Sequence, residues 1–149
     1  MKHKIFLFFA LVLFLGTTYS CQKESQEEID QKLIEQYVAD HNIDAVKHSS
    51  GLWYQIIKEG SSTHPNKNSR VNVDYVGNLL DGTEFDANDN INLIIGQTII
   101  GWQIGIPMIG EGGEILLIIP SRMGYGNTEQ GKVPKNSVMV FKVKLHFVS

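Results

Sequence analysis

The side chains best suited to chemistry lie between Tyr75 and Phe141, and most of them are aromatic. They are Tyr75, Phe85, Trp102, Tyr125 and Phe141, with one carboxylate, Asp86, directly after Phe85. The usual catalytic sets are missing. The single cysteine is Cys21, and the histidines His3, His41, His48, His64 and His146 show no paired spacing. A histidine-built metal site is therefore not expected. Asp81, Glu84, Asp86 and Asp89 crowd together, but they flank a turn and lack the ligand spacing of a calcium loop. No serine sits in a nucleophile elbow. The glycines of Met108 to Gly113 are read as a tight turn, because no Lys-Ser/Thr pair follows them to form a phosphate loop. What remains is noncovalent chemistry: an apolar, aromatic enclosure with one or two polar groups at its edge.

The elements that must carry these residues read as strands. Val71 to Leu79 alternates with period two, and Asp81-Gly82 marks a hairpin turn before Thr83 to Asp86. Leu52 to Ile57 alternates in the same way. Asn88 to Asn92 reads as a polar loop, and Leu93 resumes an apolar strand. Ile99 to Ile106 predicts a short helix closed by Pro107. Glu114 to Ile119 is almost continuously apolar, the pattern of a central strand. Ser121 to Val133 reads as a long loop that sets Tyr125 between Gly124 and Gly126. In the last strand Met139, Phe141, Val143, Leu145 and Phe147 form a core face, with Lys142, Lys144 and His146 on the other. The expected class is α+β, an antiparallel half-barrel sheet of about five strands wrapped around one short helix.

Upstream lie two further segments. Residues 1–20 carry a short positive start and eleven apolar residues from Ile5 to Leu15, too few for a membrane span of about 20 residues. They read as an export signal that is removed. Cys21 follows, and the arrangement resembles the lipobox of bacterial lipoproteins, which implies lipidation at Cys21. Tyr19 and Thr18 depart from that pattern. Loss of Lys2 and Lys4 takes the formal net charge from −3 to −5. Such a chain has no electrostatic reason to bind nucleic acid or to lie flat on anionic lipid. Residues 21–50 read as a tether and an amphipathic helix. Ser25 and Glu28 have capping-box spacing, and Ile29, Leu33, Ile34, Tyr37 and Val38 recur at helical intervals. That stripe predicts a packing element or spacer, with a partner or dimer contact as the alternative. Residues 51–149 form the compact domain.

Rotation about an X-Pro bond needs no nucleophile. It is slow because amide resonance must be broken. A pocket accelerates it by holding the twisted amide better than either planar form. Aromatic walls and a donor or two suffice. The order Val73-Asp74-Tyr75, Gly77, Asp81-Gly82-Thr83-Glu84-Phe85-Asp86, Ile99-Ile100-Gly101-Trp102, Gly124-Tyr125-Gly126 and Val133 to Ser137 with Val140-Phe141 resembles the FK506-binding-protein type of peptidyl-prolyl isomerase. The likeness runs from Gly51 to Val148.

That resemblance implies an enzyme, a peptidyl-prolyl cis-trans isomerase without cofactor or metal. It implies Trp102 as the pocket floor, and Tyr75, Phe85 and Phe141 as walls around the proline ring. Thr98 and Ile99 stand at the helix entrance, where the Ile99 N–H would bind a carbonyl. Tyr125 is implied as a hydroxyl donor, and Asp86 as the carboxylate beside the twisting carbonyl. Ile91 occupies the place of a further aromatic wall and is aliphatic. The implied partners are X-Pro segments of exported proteins and macrolides such as FK506, with no nucleic acid. A lipid anchor on Cys21 would hold a monomer in the cell envelope, on the inner or outer membrane with the domain in the periplasm. The N-terminal layout also resembles envelope isomerases associated with gliding motility. The alternatives are a noncatalytic proline-peptide binder and an assembly lipoprotein of gliding or secretion machinery.

Overall fold

The computed structural model describes residues 23–149, so the signal segment and Cys21 lie outside the described residues. The elements are α1 (Gln26–Asp40), β1 (Val46–Lys47), β2 (Trp53–Lys58), β3 (Arg70–Leu79), β4 (Glu84–Ile94), α2 (Ile100–Gly105), β5 (Glu114–Ile119) and β6 (Met139–Val148). Single 3-10 turns cover Ile95–Gln97, Ile106–Met108 and Ser121–Met123. The six strands form one antiparallel sheet in the order β1-β2-β5-β6-β3-β4. The two-residue β1 accounts for the sixth strand beyond the five expected.

Both faces of the sheet are covered near its centre, which explains the apolar run of β5. Ile115, Leu117 and Ile119 join the main core with Val73, Trp102, Ile106, Phe141 and Val143. Ile118 faces the other way, into a smaller cluster with Ile34, Val138 and Val140 beneath α1. A strand buried on both faces has no polar alternation to show. The helix α1 begins as the sequence predicts. The Ser25 hydroxyl accepts the Glu28 N–H at 3.3 Å, and the Glu28 carboxylate accepts the Ser25 N–H at 2.8 Å. Its stripe is only partly used: Ile34 is fully buried, whereas Ile29 and Leu33 remain exposed.

Two expectations change. Residues 88–92 are not a loop but the middle of β4, where Asn92 pairs with Asn72 and Asn88 with Tyr75. The segment is polar because β4 is an edge strand with one side in water. A bulge interrupts it at Asn90, whose φ is 53°. The Asp74 carboxylate caps that bulge, accepting the Asn90 N–H at 2.8 Å. Phe147 is the second correction. The β6 ladder pairs Leu145 with Val73 but Phe147 with Asn72, so one residue is extra at His146. The bulge inverts the parity of the strand. Phe147 therefore faces solvent, and Val148 turns back to the core.

Candidate functional site

The concave face of the sheet and α2 enclose a cavity of about 260 Å³. Trp102 lies in the first turn of α2, which Ile99 opens by accepting the Trp102 N–H at 3.0 Å. The indole is nearly buried. Tyr75 of β3 meets it edge to face, with ring centroids 5.0 Å apart at 84°. Phe141 of β6 does the same from the next strand, at 5.3 Å and 84°. Edge-to-face packing fixes each ring by its quadrupole as well as by its buried area. The result is a rigid aromatic corner with Trp102 at its base.

Phe85 forms the layer behind. It packs edge to face on Phe141 at 5.4 Å, over Gly77, where a Cβ would come within 2.7 Å of the Phe141 ring and 2.8 Å of Phe85. Phe85 therefore supports the wall rather than lining the cavity. Ile91 pairs across from Val73 and packs against the core beside the cavity. Leu93, two residues further along the same face of β4, lines the cavity instead. Gln97 joins it at the rim. Neither Leu93 nor Gln97 stands out in the sequence. The two-residue step from Ile91 to Leu93 was the signal available.

Oxygen atoms gather at one edge. The Tyr75 hydroxyl donates to Asp86 Oδ2 at 2.6 Å and accepts from Asn88 Nδ2 at 2.8 Å. Burial, together with this bond to Asp86, pushes the Tyr75 phenol up to about 12. It is a fixed donor over the whole neutral range. Asp86 itself is open to solvent on its other side. Tyr125, from the segment after the 3-10 turn at Ser121–Met123, overhangs the opening with its ring partly exposed. Opposite, Thr98 and Ile99 shape the entrance to α2. The Thr98 hydroxyl is occupied locally, donating to the Ile95 carbonyl at 2.7 Å, and its own carbonyl accepts from Gln103 at 2.7 Å.

The structure thus gathers Tyr75, Asp86, Thr98, Ile99, Trp102, Tyr125 and Phe141 around one cavity, and sets Phe85 and Ile91 behind it. No serine, cysteine, histidine or lysine lines it, and no cluster of metal-ligand residues occurs among the described residues. The arrangement can grip a small apolar ring and offer hydroxyl and carboxylate oxygens to an amide beside it.

Residues 61–146 match the model of the FKBP-type peptidyl-prolyl cis-trans isomerase family. The FKBP-type peptidyl-prolyl cis-trans isomerase FkpA of Buchnera aphidicola (Schizaphis graminum) is 41% identical over 104 residues, which are 66% of this chain and 41% of that protein. FkpA of Escherichia coli K12 is 37% identical over 101 residues, 65% of this chain and 37% of that protein. The chain therefore spans about two fifths of the length of these relatives. Among solved structures, FkpA from Escherichia coli superposes with a TM-score of 0.73 at 31% identity, covering 83% of this chain and 63% of that one. A peptidyl-prolyl cis-trans isomerase from Pseudomonas syringae pv. tomato gives 0.71 at 26% identity, covering 85% and 98%. The shared fold is an α+β fold whose antiparallel sheet is not closed into a barrel.

Proposed function

Because the chain belongs to the FKBP-type peptidyl-prolyl cis-trans isomerase family, we propose that its aromatic cavity binds the proline of X-Pro segments and catalyses their cis-trans isomerisation. The observation that carries this reading is the corner of Trp102, Tyr75 and Phe141 with Asp86 and Tyr125 at its open edge. The proline ring sits on Trp102 between the two other rings and sheds water there. The amide before it then lies at the oxygen edge. As that bond twists, resonance is lost and its nitrogen and carbonyl change polarity. Groups already fixed in place stabilise the twisted form without reorganising. Tyr125 donates to a substrate carbonyl, and the Ile99 N–H holds another. Asp86 acts electrostatically beside the twisting carbonyl, its orientation set by the Tyr75 hydroxyl. No bond is made or broken.

The substrates in this proposal are exported proteins whose folding waits on proline isomerisation. The pattern of residues 1–21 supports a cell-envelope location with a lipid anchor on Cys21, and macrolides such as FK506 are competitors for the same cavity. The protein acts as a monomer.

The test is an isomerisation assay on a peptide with a bulky apolar residue before proline. The protein should accelerate exchange, and Asp86→Asn and Tyr125→Phe should each lower kcat/KM by about tenfold, or ~1.4 kcal/mol. A proline peptide bound at Trp102 without any acceleration would replace the enzyme by a proline-binding module. Labelled fatty acid on the wild type, absent in Cys21→Ser, would establish the anchor.

A further inference from the structure

The helix α1 lies outside the family-matched segment, yet it holds a fully buried carboxylate, Asp30. Apolar side chains such as Ile34 already seal the contact of α1 with the sheet. A buried charge adds a desolvation cost and is tolerated when several donors converge on it in fixed geometry. Those donors are present. Asp30 Oδ2 accepts the Ser121 N–H at 2.8 Å and the Ser121 hydroxyl at 2.6 Å, and Oδ1 accepts from Gln26 at 2.7 Å. Ser121 is itself buried and opens the segment that carries Tyr125. Its carbonyl accepts the Gly124 N–H at 3.0 Å and the Gly126 N–H at 2.8 Å, one on each side of Tyr125. One carboxylate on α1 thus fixes Ser121, and Ser121 fixes the turn that presents Tyr125.

A second row of contacts reinforces the first. Arg122 pairs with Glu27 and donates to the Ser50 carbonyl. Gln31 donates to the Gly51 carbonyl at 2.9 Å and accepts from the Trp53 indole at 2.8 Å. The helix is therefore tied both to the Tyr125 turn and to the start of β2.

We propose that Asp30 is a positioning residue for the pocket: through Ser121 it holds the Tyr125 turn over the cavity, so that α1 tunes catalysis from the far side of the sheet. This rests on the isomerase reading for its effect on rate, and on geometry alone for its effect on the turn. Asp30→Ala should lower kcat/KM about fivefold, mostly in kcat, because the Tyr125 hydroxyl acts on the twisted amide. Asp30→Asn keeps the shape and one acceptor oxygen, and should recover most of that loss. In a Tyr125→Phe background the Asp30→Ala effect should fall below about twofold, since the hydroxyl it positions is gone. Amide exchange at Gly124 and Gly126 should quicken in Asp30→Ala while β5 and β6 stay protected. Should Asp30→Ala fail to fold, Ser121→Ala carries the same comparisons, since it removes the hydroxyl that Asp30 accepts. An equal loss in both Tyr125 backgrounds, or unchanged rate and exchange, overturns the proposal. Absence of isomerase activity in the wild type refutes the catalytic reading instead, and exchange at Gly124 and Gly126 then decides whether Asp30 holds the turn.

Discussion

Replacing Tyr75 by Phe removes one oxygen from the edge of the cavity and leaves the aromatic corner intact. Two bonds are lost: the one to Asp86 at 2.6 Å is charge-assisted and short, and the one from Asn88 at 2.8 Å comes from an exposed amide that regains water. Hydrogen bonds to charged groups contribute about 1.5–3 kcal/mol, but Asp86 is exposed and regains water, so the net cost at neutral pH is about 1 kcal/mol. The phenol adds a pH dependence that the variant lacks. Its value is raised in the fold to about 12 from 10.0, first by burial and then by Asp86. A raised value means the stabilisation is complete below the unfolded value and is lost as pH climbs from there toward the folded one. At about pH 11 the phenol is roughly nine-tenths ionised in the unfolded chain and one-tenth in the fold, a loss of ~1.4 kcal/mol. The wild type should thus be the more stable protein by about 1 kcal/mol at about pH 8, and equal or slightly less stable at about pH 11. Urea unfolding of both proteins at the two pH values measures this. Contributions common to the two proteins cancel in the difference. A gap of the same size at both pH values would refute the argument, because Tyr75 would then not be held neutral by its surroundings.

Gly77→Ala places a methyl 2.7 Å from Phe141 and 2.8 Å from Phe85, so both rings must move; a loss of about 1–3 kcal/mol and weaker binding of a proline peptide are expected. Gly82→Ala meets nothing within 4 Å and suffers only from its φ of +88°, about 1 kcal/mol, with binding unchanged in the same titration. Asp74 is held below its ordinary 3.8, first by the Asn90 N–H and then by His146. The stability it contributes is present above that ordinary value and disappears as pH falls through the lowered one. The stability gap between wild type and Asp74→Ala should accordingly close on acidification, and the Asn90 amide resonance should shift over the same range; an Asn90 signal indifferent to acid would contradict the cap.

What the sequence disclosed was local. The capping box of α1 is a contact between Ser25 and Glu28, three residues apart, and spacing alone reveals it. The alternation of β6 is readable as far as Leu145 and misleads at Phe147, because a bulge is decided by the partner strand. Edge strand β4 is hidden for a related reason: its asparagines are stabilised by pairing with β3, not by any apolar face of their own. The site sits between these cases. Tyr75, Trp102, Tyr125 and Phe141 are conspicuous as residue types, and the order of their motifs is conspicuous as a set. Their convergence needs the curvature of the sheet. Leu93 and Gln97 carry no such mark, and Phe85 and Ile91 are displaced by one layer. The apolar stripe of α1 marks it as a packing element or spacer, but its polar anchor was illegible, since Asp30 and Ser121 are 91 positions apart.

The place of β6 in the sheet bears on how the molecule assembles. It is the last of the described strands to be synthesised, and it lies between β5 and β3. Take it away and the ladder divides into two unconnected ribbons, β1-β2-β5 and β3-β4. Phe141 leaves with it, and the floor of the cavity loses a wall. Pairings this distant in sequence form slowly, because loop closure precedes any gain in contacts. In a chain emerging from its amino end, neither the sheet nor the wall that Phe141 gives the cavity can be completed before β6 arrives.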